Sequence, residues 1–337
     1  MGGKSLKDNG KIVTSRLELK EYLSIKKHVI EFMSTIIKCD IIPELPDKDS
    51  FGDLDVLYIG NENVINFVKD YFKPKYEYYN GNIYSFSLDC SNYIDKNLLF
   101  QIDMILVENL EMAKCYFSYG DVGKILGAIV NHYNLKYGYD GLWCYVEKKN
   151  FIEKLILSSN PKEIFDFLGL DYDYYMDEIP KLKKHEYNKI YDWIMRSKFF
   201  NNDVFNNLNN HHRRYLRPFY LDFFKYINVD INNSKGNNKI TNYDVMPVIK
   251  YFKKEDEYSN IIKKYDMKES RKKKFNQMEF IGLYSHIKGK KLVNKEIGTQ
   301  INIFMEYCSK NMSWNDFLDS NTYESIKDRI MDFLLKN

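Results

Sequence analysis

The sequence predicts an α+β chain, with a small mixed β-sheet in residues 17–146 and mainly helical structure in residues 147–337. Three observations carry that expectation. Two apolar runs, 54–59 and 98–107, have the length and side chains of buried strands. Asn80-Gly81, between the apolar runs 76–79 and 83–88, is the strongest short-range signal for a tight hairpin. Apolar residues recur at helical spacing from 17 to 37, and helical patterns dominate beyond Ser118.

Residues 1–16 are rich in Gly and Lys and read as a flexible tail. The stripe Leu19, Tyr22, Leu23, Ile25, Val29, Ile30, Met33, Ile36 and Ile37 gives an amphipathic helix that packs on the sheet after it. A first strand is expected near 40–42 and a second at 54–59. Asn61 then caps a helix through Phe72, which Pro74 stops. The Asn80-Gly81 hairpin and a strand at 100–106 complete the sheet. Ser118 or Asp121 caps a helix from 122 to 133, residues 142–146 form a short strand, and helices follow at 151–157 and 161–168. The last of these has Asn160 before it, Pro161 in its first turn and Gly169 as its stop. From 181 onwards helical runs alternate with Asn-rich breaks, the clearest being a polar loop at 230–241.

Composition narrows the function classes. With 44% hydrophobic and 29% charged residues the chain reads as an ordinary globular protein, and a net charge of +3 is too small to announce nucleic-acid binding by itself. The five cysteines are scattered with no Cys-x-x-Cys spacing, which argues for free thiols in a reducing compartment and against a zinc site. No apolar run reaches membrane-spanning length and no signal-peptide core is present, so the expected location is cytoplasmic or inside a particle, with no membrane partner. There is no P-loop. Gly120-Asp121-Val122-Gly123 lacks the spacing of a dinucleotide fingerprint.

The chemistry-bearing feature is a set of three acids. Asp53 and Asp55 open the strand at 54–59 in i, i+2 register and so share one face, while Leu54, Val56 and Tyr58 take the other. Asp103 lies within the second apolar run, where a solitary charge needs a partner. A lone Asp-x-Asp more often sits on the wet face of an edge strand or in a turn, and it is the third acid that changes the reading. If the two strands are neighbours the three carboxylates converge, and three hard oxygen donors on rigid strands suit octahedral Mg²⁺ carrying a nucleoside triphosphate.

Gly52-Asp53-Leu54-Asp55-Val56 followed by Gln101-Ile102-Asp103-Met104-Ile105 resembles the acid triad of the DNA polymerase β-like nucleotidyltransferase superfamily. Three further segments are similar to those of uncharacterised members from phages, large DNA viruses and fungi. They are the run 48–55, Tyr116-Phe117-Ser118-Tyr119-Gly120-Asp121-Val122-Gly123, and Leu135-Lys136-Tyr137-Gly138-Tyr139-Asp140-Gly141-Leu142. Together these cover roughly a third of the chain.

The resemblance implies a catalytic domain over 17–146 and a helical acceptor-binding domain over 147–337. Asp53, Asp55 and Asp103 would be both catalytic and metal ligands, with Mg²⁺ (or Mn²⁺) as cofactor and an NTP such as ATP as substrate. Ser50, Gly52, Ser118, Tyr119 and Lys136 are expected to contact the nucleotide. The implied reaction is template-independent transfer of a nucleoside monophosphate to a hydroxyl acceptor, with an RNA or tRNA 3′ end favoured. A toxin-like enzyme modifying protein or tRNA belongs to the same class.

One departure stands against this. Where the superfamily places Gly-Ser or Gly-Gly, this chain has Cys39-Asp40-Ile41-Ile42-Pro43-Glu44, in which Pro43 offers no N–H and Glu44 repels phosphate. Either the phosphate grip is built differently, for instance from Ser50 and later basic residues, or the site is partly degenerate. The second case makes the protein a nucleotide- or RNA-binding protein with weakened transfer.

Two basic clusters are candidate nucleic-acid contacts. His211-His212-Arg213-Arg214-Tyr215-Leu216-Arg217 places Arg213, Arg214 and Arg217 beside a stacking ring; the bland alternative is a solvated helix end. Arg271-Lys272-Lys273-Lys274 is the densest positive run, with Lys272 and Lys273 as candidate phosphate contacts and a solvated helix face as the alternative.

Overall fold

The structure, a computed structural model, describes residues 3–149, 151–206, 217–229, 243–309 and 312–336. Its fold is α+β, as the sequence predicts. Residues 3–16 depart from the expected tail. They form a small hairpin of β1 (Lys7–Asp8) and β2 (Lys11–Ile12), Leu6 is 1% exposed, and the Ser15 N–H donates to the Leu99 carbonyl at 2.8 Å. One well-buried leucine and a few backbone hydrogen bonds order a segment whose composition alone suggests none.

The apolar stripe becomes α1 (Leu19–Ile36), and Tyr22, Ile25, Val29 and Met33 are its buried face. It covers one side of a five-stranded sheet made of β3 (Lys38–Ile41), β4 (Asp53–Ile59), β5 (Glu77–Asn80), β6 (Ile83–Asp89) and β7 (Leu99–Leu106), in the order β3-β4-β7-β6-β5. β4 and β7 are parallel neighbours and the other pairs are antiparallel. The crossover from β4 begins with α2 (Glu62–Phe72), capped as expected by the Asn61 side chain, which accepts from the Asn63 N–H. The hairpin loop is Gly81-Asn82, one position later than the dipeptide suggests, and Gly81 supplies the positive φ of +60°.

Helix α3 (Leu110–Phe117), which was not expected from the sequence, is followed by α4 (Val122–Asn131). Next comes a three-stranded sheet of β8 (Leu135–Gly138), β9 (Gly141–Lys148) and β10 (Phe151–Ser158), in the order β10-β9-β8. β10 replaces the helix expected at 151–157. A short apolar run does not distinguish helix from strand, and the free edge of β9 decides the matter by offering a ladder of backbone hydrogen bonds. Helix α5 (Pro161–Leu168) forms as predicted, with the Asn160 side chain accepting from the Lys162 and Glu163 N–H groups and Gly169 in the left-handed region.

The chain divides into two compact units, Met1–Tyr145 with Lys154–Lys254, and Val146–Glu153 with Glu255–Asn337. The expected boundary at 146 therefore does not separate sheet from helices. Residues 154–254 belong with the sheet because their aromatic side chains are buried there: Tyr175 is fully buried, donates to the Cys115 carbonyl at 2.9 Å and stacks on Trp193. The second unit contains α10 (Glu255–Lys274), α11 (Gln277–Lys288), α12 (Asn294–Cys308), α13 (Trp314–Ser320) and α14 (Tyr323–Lys336) around Phe280, Phe304, Phe317, Ile330 and Phe333. Helices α6 (Asn188–Met195), α7 (Asp203–Asn206), α8 (Pro218–Tyr226) and α9 (Met246–Tyr251) lie in the first unit. All five cysteines are free. Among the described residues no helix is long and apolar enough to cross a membrane. The loop expected at 230–241 lies outside the described residues.

Two glycines in helices give opposite predictions. A Cβ on Gly123 would lie 2.0 Å from the Tyr116 carbonyl oxygen, so Gly123→Ala must push α4 off α3 and should cost about 3 kcal/mol. Gly282 in α11 has open space around it, so Gly282→Ala should stabilise by up to about 1 kcal/mol through helix propensity alone. Urea unfolding of the two variants reads both signs directly.

Candidate metal centre

The acid-bearing strands are brought together by their own patterning. Leu54, Val56, Ile102 and Met104 are fully buried in the core under α1, and that fixes the opposite face for the alternate residues. In the parallel register Asp53 sits opposite Gln101 and Asp55 opposite Asp103. One carboxylate oxygen from each of Asp53, Asp55 and Asp103 lies within 4.8 Å of the others.

Electrostatics follow from this crowding. Burial pushes the Asp103 carboxyl up to about 6, with the Asp53 charge adding to the effect and hydrogen bonds from Ser85 and Gln101 opposing it. Asp55, between the other two, is held well above the ordinary carboxylate range by burial and by both neighbours. Asp53 is raised by burial as well, against a hydrogen bond from the Gly3 N–H.

Few donors reach these oxygens. Besides the Ser85 hydroxyl on Asp103, the Gly3 N–H donates to Asp53 Oδ2 at 2.8 Å, and Gln101 Nε2 lies 2.9 Å from both oxygens of Asp103. Sequence reasoning missed both groups as neighbours of the triad. Gln101 was legible, because it stands at i−2 from Asp103 and shares its face; nothing in the sequence pointed to Gly3.

Glu44 is less of an intruder than its position suggests. It accepts a 2.7 Å hydrogen bond from the Tyr22 hydroxyl and pairs with Lys48 Nζ at 2.6 Å. Its charge is therefore already partnered.

The expected nucleotide contacts are scattered. Ser50 Oγ accepts from Arg16 Nε at 3.0 Å, and Gly52 lies against Gly3. The Ser118 hydroxyl is buried and donates to the Lys114 carbonyl at 2.5 Å. Tyr119 is 1% exposed, packs edge-on to Tyr175 and donates its backbone N–H to the Pro43 carbonyl, so it offers no free ring face for stacking. It still borders a cavity of about 700 Å³ along the open edge of β3, shared with Lys26, Lys114, Asp40 and Pro43. Lys136 Nζ is bonded to the Asn131 side chain.

The basic clusters are partly spent on internal ties. Arg217 Nη1 pairs with Asp121 at 2.6 Å, so that carboxylate binds Arg217 and Lys124 rather than capping α4. Lys272 pairs with Glu269 at 2.8 Å, while Arg271 and Lys274 tie α10 to Asp319 and the Leu318 carbonyl at the end of α13. Lys273 makes no hydrogen bond or ion pair among the described residues. Arg213 and Arg214 lie outside the described residues.

Compared with known proteins, the chain matches no protein-family model and no curated sequence.

Proposed function

We propose that this protein is a metal-dependent nucleotidyltransferase, moving a nucleoside monophosphate from an NTP to a hydroxyl acceptor, with an RNA 3′ end the first acceptor to try. The observation that carries the reading is the in-register placement of Asp55 beside Asp103 with Asp53 two residues away. Three like charges, Asp103 buried and Asp53 and Asp55 half-buried, repel one another, and nothing on the protein side compensates them fully. The donor set fits the group: three carboxylates on rigid strands are the hard oxygen ligands Mg²⁺ or Mn²⁺ takes, with room left for phosphate oxygens and water.

A divalent ion bound there supplies charge neutralisation on the attacking and leaving oxygens during in-line displacement of pyrophosphate. The chain's own residues divide the rest. Asp53 and Asp55 would hold the ion that the triphosphate carries. Asp103, on the neighbouring strand, would receive the proton of the attacking hydroxyl. The Lys48 ammonium, beside Glu44, brings positive charge to the same end of β4.

A second reading has its own support. Pro43 removes an N–H where a phosphate grip is expected, and a backbone N–H already occupies Asp53. Both favour a nucleotide- or RNA-binding protein with weakened transfer. The test is incubation with each NTP labelled at the α-phosphate, Mg²⁺ or Mn²⁺, and RNA, DNA, protein and small-molecule hydroxyl acceptors. Label in one acceptor class supports transfer; ion-dependent NTP binding with no label in any class selects the binding protein.

A further inference from the structure

We propose that residues 3–16 form a cover over the acid cluster that competes with a divalent cation, so that ion loading and release of this segment are one linked equilibrium. The inference rests on the metal reading above and names how that site is regulated.

The cover makes two linked contacts with the acids. The Gly3 N–H points at Asp53 Oδ2 from 2.8 Å, where it places partial positive charge beside a carboxylate that would hold the cation. Two residues further on, the Ser5 N–H donates to Gln101 Oε1 at 3.0 Å. That bond turns the Gln101 amide so that its Nε2, not its oxygen, faces both oxygens of Asp103 at 2.9 Å. One acid is thus satisfied directly and a second through Gln101. Asp55 accepts no side-chain hydrogen bond among the described residues. Each carboxylate keeps other lone pairs for an ion, but these donors draw on the charge of the same oxygens and lower their basicity, so the donations weaken ion binding and, by linkage, a bound ion weakens the donations.

The seat is specific but shallow. Gly3 has φ +75°, and a Cβ there would lie 2.0 Å from the Gly52 carbonyl oxygen, so only glycine fits. Around it the segment is held by buried Leu6, the Thr14 hydroxyl on the Gly3 carbonyl at 3.0 Å, and the Val13 N–H on the Leu6 carbonyl at 3.3 Å. Its remaining ties are the Ser15 N–H on the Leu99 carbonyl, the Tyr76 hydroxyl on Asp8 and Arg16 on Ser50, and a segment held by one buried side chain and such hydrogen bonds can open locally while the sheet stays folded.

Calorimetric titration with Mn²⁺ on the full chain, as wild type, Gly3→Ala and Thr14→Val, tests this alongside amide hydrogen exchange of residues 3–8. Gly3→Ala, which removes the cover without touching an acid, should bind Mn²⁺ about tenfold tighter, the worth of one lost hydrogen bond to a charged group. Thr14→Val should fall between, and in wild type saturating Mn²⁺ should speed exchange at 3–8. Equal affinity in all three proteins, with exchange unchanged by Mn²⁺, overturns the cover alone. No Mn²⁺ binding in any of them overturns both the cover and the metal reading. If Gly3→Ala does not fold, Thr14→Val and the wild-type exchange decide the question.

Discussion

Replacing Asp55 with asparagine is expected to make the ion-free protein more stable at pH 8 by about 2 kcal/mol, an unusual sign for a change in a packed sheet. Asp103 keeps its proton in the fold up to about 6, whereas the unfolded chain loses it near the ordinary 3.8. Between those values the folded state holds more protons, so stability falls as pH rises through the window and levels off above it. For Asp103 alone this amounts to about 3 kcal/mol.

Asp55 is raised by the same burial and by both neighbouring carboxylates, which extends the loss toward higher pH. Asparagine keeps the shape and removes the charge, so the gain should be largest at alkaline pH and shrink as pH falls and Asp55, held above the ordinary carboxylate range, takes up its proton. Urea unfolding in the presence of chelator measures it. Excess Mg²⁺ should reverse the order, since wild type gains about 2.7 kcal/mol at a hundredfold excess over its Kd and the variant much less. An Asp55→Asn protein less stable than wild type at pH 8 without ions contradicts the crowded site.

Asp103→Ala is expected to lower transfer about 10²–10⁴-fold while leaving ion-dependent NTP binding within a few-fold of wild type. The reason is the division between the strands. Asp53 and Asp55 belong to β4 and serve the triphosphate end, whereas Asp103 on β7 meets the acceptor hydroxyl. Single-turnover labelling alongside equilibrium NTP binding separates the two effects. Equal losses in both would mean that the triad acts as one undivided ligand set.

The sheet and its acids were legible because local chemistry decides them. Period-2 patterning in 54–59 and 98–107 fixes the two faces, and an acid inside an apolar run announces a partner. Asn61, Asn160, Gly81 and Gly169 mark element ends through preferences that need no tertiary context. What stayed hidden depends on long-range contacts. Residues 151–158 became a strand because β9 offered an edge. The Gly-Lys-rich start became ordered because Leu6 found a pocket and Gly3 found Asp53, 50 residues away. Tyr119 looked available for a base in a chain rich in tyrosine, yet its ring was claimed by Tyr175. Arg217 looked like a phosphate contact, and its partner Asp121 stands 96 positions earlier.

The most direct measurement on the central claim is Mn²⁺ binding by electron paramagnetic resonance, comparing wild type with Asp55→Asn at neutral pH. The account predicts protein-bound Mn²⁺ in wild type, sharpened contacts when NTP is added, and loss of that bound signal in Asp55→Asn. Bound Mn²⁺ that survives Asp55→Asn unchanged, or none in wild type even with NTP present, contradicts a metal centre at these three acids.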